Sequence, residues 1–79
     1  MNLVHLPTVE RRQELIWLGG RVKAERIKIG MSQVEFANRI GKDKQSINRV
    51  ENGRINPSFT YLLDICKGLE ISLSELFTD

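Results

Sequence analysis

Glycines and helix-capping residues divide this sequence into short segments, and this punctuation restricts the chain to a few helices joined by tight turns. Gly30, Gly41 and Gly53 each follow a run with apolar residues at helical spacing, and glycine readily takes the left-handed conformation that ends a helix. Residues 32–35 and 72–75 both read Ser-x-x-Glu, the capping box in which serine and glutamate bond the free amides of the first turn. Because no stretch alternates apolar and polar residues as a strand would, the sequence predicts an all-α domain.

Five helices are predicted from these boundaries and from the apolar periodicity, at residues 9–29, 33–40, 44–52, 59–69 and 73–77. Thr8 is the expected N-cap of the first helix, and Asp43 that of the third. The pair Gly19-Gly20 lies within the first helix at a cost of about 1 kcal/mol per glycine relative to alanine, so we expect a bend or a later start there. Ile29 is expected on the same apolar side of this helix as Val22.

The length and composition fit a single intracellular domain. The chain has 79 residues, which leaves no room for a second domain of ordinary size. The lone cysteine, Cys66, excludes an intramolecular disulfide, favours a reducing compartment and is expected to be buried in the fourth helix. The apolar stretches are far shorter than the roughly 20 residues that span a bilayer, and the N-terminus lacks the pattern of a secretory signal. We therefore expect a cytoplasmic protein.

The charge is distributed unevenly along the chain. Residues 21–56 carry nine Lys and Arg against four acids, whereas residues 57–79 carry one Lys against four acids, although the whole chain has a net charge of only +2. A basic middle followed by an acidic end indicates a surface that binds polyanions on one side of the domain. Solvated helices often have similar charges, so this feature alone decides little.

The segment from residue 32 to 53 has the spacing of a helix-turn-helix, with two short helices joined by Gly41-Lys42-Asp43. Ala37 is small where the helices must approach closely, and Gly41 can adopt a positive φ in the turn. Ile47 and Val50 are expected to form the inward side of the third helix. Four polar side chains then face outward: Lys44, Gln45, Asn48 and Arg49. An ordinary helix with one side in solvent would carry the same residues. Periodicity alone therefore does not distinguish a helix that reads DNA bases from one whose polar side only faces water.

Several motifs occur together in a fixed order, at residues 21–33, 35–37, 45–47, 51–53, 56–58 and 71–77. With these motifs the chain resembles the Cro/repressor-type (XRE-like) helix-turn-helix family, which includes the DNA-binding domains of lambdoid phage repressors. The resemblance implies a five-helix lambda-repressor-like domain over residues 18–79, with the helix-turn-helix at helices 2 and 3. Residues 1–17 lie outside it and are expected to be an N-terminal arm and an extension of helix 1. Within them, residues 2–6 fit either an extended arm or a frayed end.

The resemblance also implies which residues read bases. Lys44, Gln45 and Arg49 fall on the base-reading positions of the family, and Asn48 is assigned with them because it faces the same way. The chemistry agrees, since glutamine can bond adenine bidentately while arginine and lysine suit the O6 and N7 atoms of guanine.

Other positions match residues that contact the DNA backbone. Gln33 matches one that bonds a phosphate from the N-terminus of the second helix, and Ser46, Asn52 and Arg54 match contacts that set the register without reading sequence. Asp43 departs from the family pattern, because a carboxylate is unfavourable near phosphates; its N-cap role explains its presence.

Arg26 and Glu51 match a buried ion pair that joins helix 1 to the end of the recognition helix in some phage repressors. The alternative is two unconnected surface charges. A buried pair of this kind need not add net stability, but loss of one partner would cost about 3–5 kcal/mol.

With this resemblance, we expect a sequence-specific DNA-binding transcriptional regulator. The resemblance implies a repressor that binds a palindromic operator as a homodimer, and DNA binding implies association with the nucleoid. Phage repressors, restriction–modification controllers and antitoxins all fit this size, and a protein-interaction adaptor without DNA binding is the alternative of a different class. Trp17 is expected to close the core or to join a dimer contact. The N-terminal arm and the apolar C-terminal residues Leu73, Leu76 and Phe77 are candidate interfaces. The only histidine is His5 and no serine has a histidine nearby, so we expect no enzyme, metal or cofactor.

Overall fold

The structure is a computed structural model that describes residues 9–78, with side chains from residue 11 onward. In this part of the chain five α-helices and no strands are present: α1 (Val9–Lys28), α2 (Gln33–Arg39), α3 (Lys44–Glu51), α4 (Phe59–Leu69) and α5 (Leu73–Leu76). The predicted all-α, five-helix class is therefore confirmed. Thr8, His5 and the ambiguous residues 2–6 lie outside the described residues.

The N-termini of α2 to α5 are capped by side-chain oxygens. Ser32, Asp43, Ser58 and Ser72 are in extended conformation, and each accepts a hydrogen bond from the amide three residues further on. Both expected capping boxes are formed, because the glutamates at 35 and 75 accept from the backbone amides of Ser32 and Ser72, each at 2.8 Å. Local sequence alone thus determines where these four helices begin.

Glycines end the first three helices as expected, with φ of 75° at Gly30 and 70° at both Gly41 and Gly53. In each case the amide of the following residue bonds a carbonyl five residues back, as Arg54 does with Arg49 at 2.9 Å. This is the Schellman arrangement, which satisfies carbonyls at the helix end and turns the chain sharply. The turn between α2 and α3 is therefore set by backbone hydrogen bonds.

α1 continues without interruption through Gly19-Gly20, so the expectation of a later helix start at this pair is wrong. The physical reason for Gly19 is packing: a Cβ atom there would overlap the carbonyl oxygen of Val50 and lie 2.6 Å from that of Glu51. The absence of a side chain lets the backbone of α1 rest directly against the end of α3. Gly20 has no neighbour within 4 Å of such a Cβ and carries no comparable packing requirement.

The core lies between the five helices, and among the described side chains it contains ten buried apolar residues: Leu18, Val22, Phe36, Ala37, Ile47, Val50, Ile65, Cys66, Leu69 and Leu76. Cys66 is buried as expected, and burial raises the pKa of its thiol. Ile29 was assigned to the apolar side of α1, but it is 41% exposed. α1 ends at Lys28 and the chain turns at Gly30, which takes Ile29 off that side. None of the helices within residues 9–78 is long and apolar enough to traverse a membrane.

Candidate nucleic-acid interface

One side of α3 forms a polar, basic surface. Ile47 and Val50 are 0% and 1% exposed, so the helix cannot rotate without removing them from the core. The four side chains predicted to face outward are all exposed and lie together on what we term the outer face of α3: Lys44, Gln45, Asn48 and Arg49. Within the described part of the chain, the side chains of Lys44, Gln45 and Arg49 make no hydrogen bond or ion pair, so they are free to bind a ligand.

The far end of α3 is fixed by a buried ion pair between Arg26 and Glu51. Arg26 Nε and Nη2 donate to the two carboxylate oxygens of Glu51 at 2.7 and 3.0 Å, and the side chains are only 9% and 1% exposed. Arg26 Nη1 also donates to the carbonyl of Met31 at 2.6 Å. Hydrogen bonding to Glu51 raises the pKa of Arg26 above its ordinary value. The two residues are therefore buried partners that connect α1 to α3, not separate surface charges.

Gln33, the first residue of α2, extends this network to the outer face of α3. Its Nε2 donates to Glu51 Oε1 at 2.9 Å, and its Oε1 accepts from Asn48 Nδ2 at 3.4 Å. A half-buried glutamine thus connects a buried carboxylate to an exposed amide on α3. No local sequence pattern predicts this link, because the three residues lie on two different helices.

The near end of α3 is held by α4 through Tyr61, a contact that no local sequence pattern predicts. The Tyr61 hydroxyl is hydrogen-bonded to that of Ser46 in the first turn of α3. Lys42, in the turn before α3, places Nζ 4.7 Å from the centre of the Tyr61 ring and 3.2 Å from Asp64 Oδ2. Asp43 caps the helix as predicted, accepting from the Ser46 amide at 2.7 Å. Ser46 is consequently half-buried and already has one partner.

The remaining residues assigned to the DNA backbone lie just beyond α3. Asn52 is exposed, and its side-chain amide donates to the carbonyl of Asn48 at 2.8 Å. Arg54 is exposed, and its side chain makes no hydrogen bond or ion pair with the residues that the structure describes. Among those residues, no group of three or more His, Cys, Asp and Glu side chains is arranged to hold a metal ion.

Comparison with known proteins shows similarity in both sequence and fold. A helix-turn-helix family model matches residues 22–76. The control protein C.MunI of a Mycoplasma species is 42% identical over 57 residues, which cover 72% of this chain and 77% of that protein. The uncharacterized HTH-type transcriptional regulator YgzD of Bacillus subtilis (strain 168) is 30% identical over 57 residues, covering 72% of this chain and 86% of that protein.

Two solved structures resemble the fold closely. The restriction-modification controller protein C.AhdI of Aeromonas hydrophila superimposes with a TM-score of 0.80 and 32% identity, covering 82% of this chain and 98% of that chain. The controller C.Esp1396I, solved as a tetramer in complex with its natural 35 base-pair operator, gives a TM-score of 0.74 and 30% identity over 80% of this chain and 83% of that chain.

Proposed function

Since the chain belongs to the XRE-type helix-turn-helix family of transcriptional regulators, we propose that α3 lies in the major groove of double-stranded DNA and reads the base sequence there. The observation that carries this proposal is the outer face of α3, a set of exposed hydrogen-bonding and basic side chains on a helix whose opposite face is locked in the core. An acidic or apolar outer face would favour the adaptor alternative. The family consists of regulators, and we propose no catalytic activity.

Base reading is assigned to the four residues of the outer face, with different chemistry for each. Arg49 and Lys44 suit guanine, and Gln45 suits adenine. Among the described residues, Asn48 makes only a long side-chain hydrogen bond, to Gln33 at 3.4 Å, so its exposed amide remains available to bond a base.

Backbone phosphates are assigned to Gln33, Ser46, Asn52 and Arg54. Arg54 is the strongest of these, because its guanidinium is exposed and charged. Gln33 and Ser46 already have side-chain partners. We propose that each bonds a phosphate with the hydrogen-bonding capacity that remains beyond those contacts. Such contacts set the position of the protein on the duplex without reading its sequence.

We further propose that the protein acts as a homodimer on a palindromic operator. Large apolar side chains remain at the surface: Trp17 and Phe77 stack with ring centres 6.1 Å apart and are 40% and 47% exposed. Trp17 thus only partly closes the core. Of the C-terminal candidates, Leu76 is fully buried and cannot contact a partner, whereas Phe77 can. Oligomeric binding of C.Esp1396I to its operator is consistent with this proposal.

The setting that the comparisons favour is control of a restriction–modification system, since C.MunI, C.AhdI and C.Esp1396I are all controllers. Repression of a promoter in the cytoplasm, at the nucleoid, is the proposed outcome of operator binding.

Selection of bound sites from a random duplex library tests the whole proposal. We expect a defined sequence with two half-sites about one helical turn apart or a multiple of it, which would establish specificity and two-fold symmetry together. Sedimentation at micromolar concentration should show a dimer. Recovery of no enriched sequence, together with binding to random duplex that does not weaken with salt, would exclude the DNA-reading role and favour the adaptor alternative.

A further inference from the structure

A small cleft of about 240 Å³ separates the first half of α1 from the end of α3, and two arginines line it, Arg12 and Arg54, with Leu15 and Gly53. The two elements are in backbone contact beside the cleft, because a Cβ on Gly53 would lie 2.8 Å from the Cα of Ile16. Arg12 precedes Ile16 by four residues, which places it one helical turn away on the same side of α1.

The backbone of Arg54 is held in place at the end of the outer face. Its amide donates to the carbonyl of Arg49 at 2.9 Å, and the amide of Gly53 donates to that of Val50 at 3.1 Å. Arg54 follows the C-terminal end of α3 and is assigned above to the DNA backbone, so a phosphate that it binds would lie beside the groove that α3 is proposed to occupy.

Arg12 and Arg54 both line the cleft, and neither side chain has a negative partner in the part of the chain that the structure describes. Both side chains are exposed. Like charges on one cleft repel each other, and an anion between them would convert that repulsion into attraction. The planar guanidinium fork matches the oxygen geometry of a phosphate group, to which it binds by paired hydrogen bonds.

We propose that Arg12 and Arg54 together bind one backbone phosphate of duplex DNA at the edge of the groove occupied by α3. The inference rests on the proposed function. It adds a residue that neither the motifs nor the family match assigns, since the family model begins at residue 22. The basic surface of the recognition helix thereby continues across the cleft onto α1.

Arg11 provides a matched control for Arg12. It is the neighbouring arginine on the same helix, but its Nε is paired with Glu14 Oε1 at 3.1 Å and it does not line this cleft. Arg12→Gln and Arg11→Gln therefore change the net charge equally, and neither alters a buried residue. The affinity of each variant of the full chain for a labelled random-sequence duplex is measured by fluorescence anisotropy between about 50 and 200 mM salt.

The slope of log K against log salt should become shallower by up to about 0.9 for Arg12→Gln, the value for one phosphate contact, and should change far less for Arg11→Gln. Because the phosphate is shared, the combined Arg12→Gln and Arg54→Gln variant should lose less affinity than the product of the two single losses. Equal slopes for Arg12→Gln and Arg11→Gln would overturn the proposal, and strictly multiplicative losses would overturn the shared phosphate. If the folded wild-type chain shows no salt-dependent binding, the proposed function itself fails and the inference fails with it.

Discussion

Gln33 donates a hydrogen bond from Nε2 to Glu51 Oε1 at 2.9 Å, which ties the first residue of α2 to the last residue of α3. The same carboxylate accepts two hydrogen bonds from Arg26 of α1. One buried carboxylate thus fixes the mutual position of the three helices that form the proposed interface. Networks of this type are stable when every member is satisfied, and costly when one member is removed.

Glu51→Ala should lower the free energy of unfolding by about 3–5 kcal/mol, because it leaves the Arg26 guanidinium buried without its counter-charge. Urea denaturation followed by circular dichroism measures the loss. Glu14→Ala is the control: Glu14 belongs to an ion pair whose side chains are largely exposed, and its loss should cost less than about 1 kcal/mol. Similar costs for the two variants would contradict an architectural role for the buried pair.

Gln33→Ala should weaken binding to specific and random duplexes by a similar factor, because a phosphate contact carries no sequence information. Binding to the selected operator and to single-base variants of it distinguishes this from an effect through Asn48. A loss confined to one base position would contradict the phosphate assignment and would indicate that Gln33 acts by orienting Asn48.

Arg49→Ala should cost about 1–3 kcal/mol at the preferred operator and relax the preference at one base position. Competition binding with operators substituted at each position measures both effects. Lys67→Ala removes an equal charge from an exposed position on α4 and should leave the preference unchanged. Equal weakening on specific and random DNA by Arg49→Ala would reject its base-reading role.

The adjacent glycines of α1 should respond to alanine in opposite directions. Gly20→Ala should stabilise the protein by about 1 kcal/mol, because alanine favours the helix and its Cβ meets nothing within 4 Å. Gly19→Ala should destabilise it by about 1–3 kcal/mol, since the added methyl group overlaps backbone carbonyls at the end of α3. Thermal unfolding of the two variants provides the comparison; stabilisation by both would show that the close approach is not required.

Acid should remove a stabilising contribution from Glu25. Hydrogen bonds from Lys28 and then Arg21 lower the pKa of Glu25 below its ordinary value of 4.5, with contacts of 3.0 and 2.9 Å. A carboxyl group with a lowered pKa in the folded state contributes stability that is present above the unfolded value and lost as the pH falls through the folded value. Stability measured from neutral pH to below 4.5 should therefore decline less steeply in Glu25→Gln than in the wild type. Parallel curves would contradict this contribution.

The parts of the fold that follow from neighbouring residues could be predicted from the sequence. Ser32 and Asp43 cap helices with atoms only three residues away, and Gly41 permits the turn by its own conformational freedom. The inward positions of Ile47 and Val50 follow from helical periodicity, and the exposure of Arg49 follows from theirs. Local chemistry thus predicts the helix-turn-helix and its outer face.

The parts that depend on contacts between distant residues could not be predicted in this way. The hydroxyl pair of Ser46 and Tyr61, and the cleft shared by Arg12 and Arg54, join helices whose relative placement no local pattern encodes. Gly19 illustrates the same limit, because helix propensity alone suggested an interruption. Its role in close packing follows only from the tertiary structure, in which the carbonyl oxygen of Val50 occupies the space that a side chain at position 19 would need.

The close approach at Gly19 has an evolutionary consequence. α3 is supported there by main-chain atoms, which are the same whatever amino acids the outer face carries. The outer-face residues, which we propose to contact the operator, can therefore diversify while their support stays constant, provided that position 19 keeps no side chain. A lineage of such proteins could acquire new target sites by exchanging a few exposed residues, with no need to redesign the scaffold beneath them.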